Sequence, residues 1–149
     1  MTVYYLDASA WVKRYCAEAG SSWVQALFAQ DAALSSASLG LVEVAATLAR
    51  KGKAGEMPAS GLEAAVTELR YDWDRFAQVH LTDEALEHAF RVARANALRG
   101  ADAVHLASAL LVAANRSAQQ DEVVMVTSDR ELREAASAAG LRVIDPARA

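Results

Sequence analysis

A chain of 149 residues with 54% apolar composition and a net charge of -4 is long enough for one compact domain built on a single core, expected to span residues 1–149. That charge excludes a broad basic surface for gripping nucleic acid and leaves only local patches, at Lys13 and Arg14, at Arg50, Lys51 and Lys53, and at Arg91, Arg94 and Arg99. No apolar run approaches the roughly 18 residues a bilayer span needs, which excludes a membrane partner, and the N-terminus has no basic segment before its apolar stretch, so it does not read as a secretory signal.

In chain order, the β-rich run Val3 to Leu6 ends at Asp7, after which Ala8 to Cys16 is expected to be helical, capped by Asp7 or Ser9. Ser21 or Ser22 caps a second helix reaching Gln30, and Ala33 to Ser36 forms a short strand. Ser38 to Arg50 is a third helix, ending before Gly52. A polar break with Gly55 and Pro58 precedes a helix from Ser60 to about Ala77, and Val79 to Leu81 is a brief extended piece. Thr82 caps the next helix, with Asp83 and Glu84 favourable in its first turn, and Arg99-Gly100 breaks that helix after Leu98. The alanine-rich segment Ala101 to Asn115 follows, then a polar connector over 116–122. Val123 to Thr127 is the strongest buried-strand signal, being continuous, apolar and β-branched. Asp129 to Ala139 is helical with Gly140 as its C-cap, and Leu141 to Ile144 makes a last short strand before Pro146. Strands separated by helices imply an α/β fold, a mostly parallel sheet between two helical layers.

Four acidic residues interrupt or abut apolar sequence: Asp7 after YYL, Glu43 inside LGLVEVAATLA, Asp102 opening ADAVHLASA, and Asp129 in VMVTSDREL. A lone carboxylate in such a setting is costly to desolvate unless it is paired, hydrogen-bonded or bound to a cation. Taken singly, Asp7, Asp102 and Asp129 can each be a helix cap. Glu43 cannot, because it sits within a helix with Leu39, Val42, Ala46 and Ala49 at helical spacing around it. In parallel sheets ligands bind beyond the carboxyl ends of the strands, where Asp7 and Asp129 fall, and Ser9, Thr127 and Ser128 add hydroxyls there. Carboxylates about 4 Å apart repel by about 4 kcal/mol at an effective dielectric of about 20, and a divalent cation removes that cost. Oxygen ligands without a His or Cys cluster select Mg²⁺ or Mn²⁺ over zinc. His105 is expected to be a packed or hydrogen-bonded helix residue, and Trp11, Trp23 and Trp73 to pack rather than stack on bases. Cys16, the single cysteine, is expected to be an inert packing thiol, which fits a reducing cytoplasm.

The ordered set YYLDASAWVKRY, the helix with Glu43, LRGADAVHLASAL and VTSDRELREAA resembles a PIN domain, specifically the VapC toxins of bacterial toxin–antitoxin pairs, over nearly the whole chain. The resemblance implies a three-layer α/β/α sandwich, Asp7, Glu43, Asp102 and Asp129 as catalytic metal ligands, and Ser9 and Thr127 as supporting polar residues. It also implies Mg²⁺ or Mn²⁺ dependence, hydrolysis of RNA, and a homodimer neutralised by an antitoxin. One departure is the polar stretch NRSAQQDE (115–122), which predicts a longer loop at the end of the sheet opposite the carboxylates. Two other functions fit the same residues. One is a binding module of this fold without hydrolysis; the other is an aspartyl phosphatase-like domain with Asp7 as nucleophile, which expects a second Asp where Ser9 stands and a late Lys, absent after Lys53.

Overall fold

A computed structural model describes residues 1–149. Five strands form one sheet: β1 (Thr2–Leu6), β2 (Ala33–Ala37), β3 (Ala77–Val79), β4 (Glu122–Val126) and β5 (Arg142–Ile144). All four pairings are parallel, in the order β3-β2-β1-β4-β5. Seven α-helices connect and cover them: α1 (Ala8–Trp11), α2 (Ser21–Ala29), α3 (Ser38–Lys53), α4 (Ala59–Arg75), α5 (Asp83–Asn96), α6 (Gly100–Arg116) and α7 (Arg130–Ala138).

Alternation along the central strands divides the core into two layers, because successive side chains of a strand face opposite ways. Val3, Tyr5, Val123 and Met125 pack with α5, α6 and α7. Leu6, Val124 and Val126 pack on the other face with Trp11, α3 and α4. The expected three-layer sandwich is therefore present, and no single helix is long and apolar enough to cross a membrane.

Chain direction reverses its spread at β1. The chain moves outward through β2 and β3, then returns to place β4 on the other side of β1. The crevice beyond the carboxyl ends of β1 and β4 is thus the topological switch point, the place where this class of sheet opens to a ligand.

Several local expectations shift. The first helix shortens to Ala8–Trp11 and continues as a 3₁₀ turn over Val12–Arg14. Gly20, in the left-handed region at φ 94°, occupies the N-cap of α2, while the Ser21 hydroxyl donates to the Cys16 carbonyl instead of capping. Helix α3 runs through Gly52, which lies against Leu62 of α4, to Lys53. The extended piece expected at Val79 to Leu81 lies at Ala77–Val79, where pairing with β2 sets it. Thr82 caps α5 as expected, its hydroxyl accepting from the Ala85 amide. The polar stretch ahead of β4 holds a 3₁₀ turn, Ser117–Gln119, at the amino end of that strand and away from the crevice. Cys16, Trp11 and Trp73 are buried, and Trp23 is half-buried.

Candidate metal centre and its surroundings

Asp7 follows β1 and is 3% exposed. One of its oxygens, Oδ1, caps α1 by accepting from the Ala10 amide at 3.0 Å. The Thr127 hydroxyl donates to Oδ2 at 2.7 Å, and the Ser9 hydroxyl lies 2.8 and 3.0 Å from the two oxygens. Burial pushes the Asp7 carboxyl above its ordinary range; positive charge at His105 and the Thr127, Ser9 and Ala10 hydrogen bonds oppose that rise. The two Asp7 oxygens divide their tasks, Oδ1 capping α1 and Oδ2 turned to Thr127 at the end of β4.

Asp129 repeats the arrangement after β4. Its Oδ1 caps α7 by accepting from the Leu132 amide at 2.9 Å, leaving Oδ2 for the crevice. Thr127 joins the two aspartates: its hydroxyl donates to Asp7 Oδ2 and accepts from the Asp129 amide at 3.0 Å. The hydroxyl needs both partners, since a buried oxygen with an unmet donor or acceptor costs about 1–3 kcal/mol.

Asp102 is not a cap. Helix α6 begins at Gly100, earlier than a cap at Asp102 would require, so Asp102 lies inside its first turn. Negative charge there is favoured by the helix dipole. Burial, followed by the nearby charge of Asp129, raises the Asp102 carboxyl above its ordinary range, and Arg99 opposes both. The Arg99 guanidinium bridges the pair, with Nη2 3.1 Å from Asp102 Oδ2 and 2.7 Å from Asp129 Oδ2.

Glu43 extends from the middle of α3 and is tied to α6. Its Oε1 lies 2.6 Å from His105 Nε2, and His105 Nδ1 lies 2.8 Å from the Tyr5 hydroxyl. His105 is 1% exposed, the packed and hydrogen-bonded helix residue expected of it. Gly40 makes the approach possible, because a Cβ there would meet His105 Cε1 at 3.2 Å and the Ser36 hydroxyl at 2.7 Å.

The carboxylates therefore form three linked groups: Asp7 with Ser9 and Thr127, Glu43 with His105, and Asp102 with Arg99 and Asp129. Thr127 connects the first group to the third, and His105 acts electrostatically on both Asp7 and Asp102. No three His, Cys, Asp or Glu side chains gather tightly enough to form a ready-made metal cage. The donor chemistry nevertheless suits a hard cation. The offered groups are carboxylate oxygens, two of them raised by burial, and a guanidinium occupies the space between Asp102 and Asp129. Mg²⁺ typically keeps several waters and is held through one or two carboxylates, so it does not require a closed protein cage.

Three residues of this centre carry no sequence signal of their own. His105 is recognisable only as a helix residue, Arg99 as part of a basic group, and Gly40 as nothing more than a glycine within a helix. Another buried acid, Asp72, lies apart from the site, accepting from the Tyr15 hydroxyl at 2.7 Å and pairing with Arg14 at 3.3 Å.

Residues 4–138 match the family model described as PIN domain. The chain is 44% identical over 144 residues to Ribonuclease VapC45 of Mycobacterium tuberculosis (strain CDC 1551 / Oshkosh), covering 96% of this chain and 95% of that protein. Among solved structures, it is similar to Mycobacterium tuberculosis VapC20, a sarcin-ricin loop cleaving toxin, with a TM-score of 0.62 and 18% identity over 93% of this chain and 95% of that one. It is also similar to a chain in a toxin-antitoxin complex from Klebsiella pneumoniae, with a TM-score of 0.59 and 15% identity over 96% of this chain and 97% of that one.

Proposed function

Because this chain belongs to the PIN domain family and shares its length and 44% of its residues with a VapC ribonuclease, we propose that it is the endoribonuclease toxin of a type II toxin–antitoxin pair. The activity is metal-dependent hydrolysis of RNA phosphodiester bonds, with Mg²⁺ as the ion and Mn²⁺ as its substitute. Residues 1–149 act as one domain. The carrying observation is the linked set of four carboxylates at the switch point of the sheet, with Asp7 buried and Asp102 and Asp129 sharing one guanidinium.

In this reading Asp7, Glu43, Asp102 and Asp129 hold the cation. A bound divalent ion lowers the pKa of water and stabilises charge on phosphoryl oxygens. The protein's own contribution is placement. Ser9 and Thr127 fix the Asp7 carboxylate by donating to it, and His105 fixes Glu43. The Ser9 hydroxyl is already committed to Asp7 and accepts from the Ser128 amide at 3.0 Å, which suits a support better than a nucleophile. Water is the attacking group, and the 3′ oxygen departs in line.

Partners follow from the same family reading: RNA as substrate, an antitoxin as inhibitor, and a second copy of the chain in a homodimer. Leu81, Leu86 and Phe90 are each more than half exposed and supply apolar surface for such assembly. The lone, buried Cys16 suits a cytoplasmic location.

The test is Glu43→Gln. It keeps the size of the side chain and removes its charge, so the variant should fold like the parent and lose Mg²⁺-dependent cleavage. Unchanged cleavage would overturn the assignment. Expressing the protein with and without its genomic neighbour, then mapping new RNA ends, identifies the substrate and tests the antitoxin together.

A further inference from the structure

An open groove of about 490 Å³ begins at the carboxylate cluster, where Ser9, Glu43 and Ser128 line it, and continues past Lys13, Arg50 and Lys51. Helix α3 sets its direction. Glu43, Thr47 and Arg50 stand at i, i+4 and i+7, so one stripe of the helix runs from a site carboxylate through a hydroxyl to a guanidinium. With a rise of about 1.5 Å per residue, the stripe covers about 10 Å along the helix axis.

The three cations are engaged differently. Lys13 is 6% exposed and its ammonium donates to Glu18 Oε1 at 3.0 Å. The other oxygen of Glu18 lies 3.9 Å from Lys51 Nζ, which Glu56 approaches at 3.6 Å. Lys13 thus anchors a carboxylate that in turn draws Lys51 toward the groove. Arg50 is exposed and forms no ion pair; its guanidinium donates to the Thr47 hydroxyl at 3.1 Å. A cation without a carboxylate partner, on a chain of net charge -4, is available to an anionic ligand.

We infer that this groove carries the sugar–phosphate backbone of single-stranded RNA away from the carboxylate site, with Arg50 and Lys51 binding phosphates that flank the scissile one. The Lys13–Glu18 pair is the positioning element for Lys51. Of the groove's lining only Ala8, Val12 and Ala46 are apolar, which favours a repeating anion over the apolar face of a peptide helix. The inference rests on the ribonuclease reading above, and its test separates the two.

The full chain is titrated with a fluorescein-labelled single-stranded RNA in EDTA over a range of salt, and cleavage of total cellular RNA is followed in Mg²⁺. Arg50→Ala and Lys51→Ala are compared with the charge-keeping Arg50→Lys and with Arg91→Ala, which removes an exposed cation from α5. For Arg50→Ala and Lys51→Ala, the slope of log affinity against log salt should fall by about 0.7 for each phosphate that is no longer neutralised. Arg50→Lys and Arg91→Ala should keep the parent slope. Parent-like slopes in both alanine variants overturn the groove, as does an equal loss in Arg91→Ala. Retained RNA slopes together with failure to capture the neighbouring gene's protein would make the groove a protein interface and overturn the inference. If the parent cuts cellular RNA while these slopes stay unchanged, only the groove fails; if the parent neither binds nor cuts, the ribonuclease reading fails with it.

Discussion

His105 Nε2 stands 2.6 Å from Glu43 Oε1, so a buried ring on α6 aims a carboxylate carried by α3. The same ring holds the Tyr5 hydroxyl 2.8 Å from Nδ1, so His105 is paired at both nitrogens. His105→Ala removes both bonds and leaves the fully buried Tyr5 hydroxyl without that partner. The expected cost is about 1–3 kcal/mol for the unmet hydroxyl, with a further cavity penalty, and reduced cleavage because Glu43 is released. Tyr5→Phe should cost about 1 kcal/mol and keep cleavage, since the Glu43 bond survives. Denaturant melts and RNA cleavage measured on both variants check this; parent-like cleavage by His105→Ala would show that Glu43 needs no support.

Arg99 supplies positive charge between Asp102 and Asp129 from a side chain that is 72% exposed. Arg99→Gln leaves the two carboxylates facing each other without that charge. In EDTA the variant should melt below the parent, and Mg²⁺ should raise its Tm by more than it raises the parent's. Scanning calorimetry with and without Mg²⁺ measures the two differences. A variant whose Mg²⁺ response equals the parent's would mean that the guanidinium and the cation do not share these carboxylates.

Gly40→Ala reverses a familiar sign. Alanine normally stabilises a helix interior by about 1 kcal/mol over glycine. Here the added Cβ meets the Ser36 hydroxyl at 2.7 Å, and Ser36 is held by donating to the Leu6 carbonyl at 2.6 Å. It also approaches His105 Cε1 at 3.2 Å. Overpacking typically costs about 1–3 kcal/mol, so a net loss of stability is expected in urea unfolding, together with weaker cleavage as His105 shifts. A more stable variant would contradict the tight contact between α3 and α6.

Asp145 gives the fold an acid-sensitive contact. Burial alone would raise its carboxyl, but hydrogen bonds from the Ser128 hydroxyl and the Ala147 amide, with Arg133 and Arg148 nearby, outweigh burial and hold it below the ordinary carboxylate range. A lowered folded value adds stability that is fully present above the unfolded value, about 3.9, and is lost as pH falls through the folded one. Asp145→Asn should therefore lower the Tm at neutral pH and show a smaller further decline than the parent in acid. Equal pH profiles for the two proteins would count against this contact.

Much of the candidate site is legible in the sequence because desolvated charge is conspicuous among apolar residues. Glu43 stands out most clearly, since no cap or turn explains an acid within that helix. Asp7 and Asp129 look like caps or site residues; the structure makes each of them a cap through Oδ1 and leaves Oδ2 turned to another partner, so capping does not use up the carboxylate. Residue type poses the choice between the two roles, and two oxygens per carboxylate dissolve it. Asp102 looks like a cap only if α6 starts after it; the helix instead begins at Gly100, with no capping side chain and with open space where a Cβ would stand.

By itself the sequence determined the alternation of strands and helices, the buried run of β4 and the acids that abut the strand ends, because periodicity, β-branching and capping chemistry act between residues close in the chain. It could not decide that α6 meets α3 at His105 and Glu43, 62 residues apart, nor that Thr127 joins Asp7 to Asp129 across two strands. Those contacts depend on the order β3-β2-β1-β4-β5, which sets β1 beside β4 and brings their ends to one crevice. Tertiary packing alone decides which polar atoms find each other there, since a buried hydroxyl, imidazole or carboxylate must be paired with whatever the fold brings within reach.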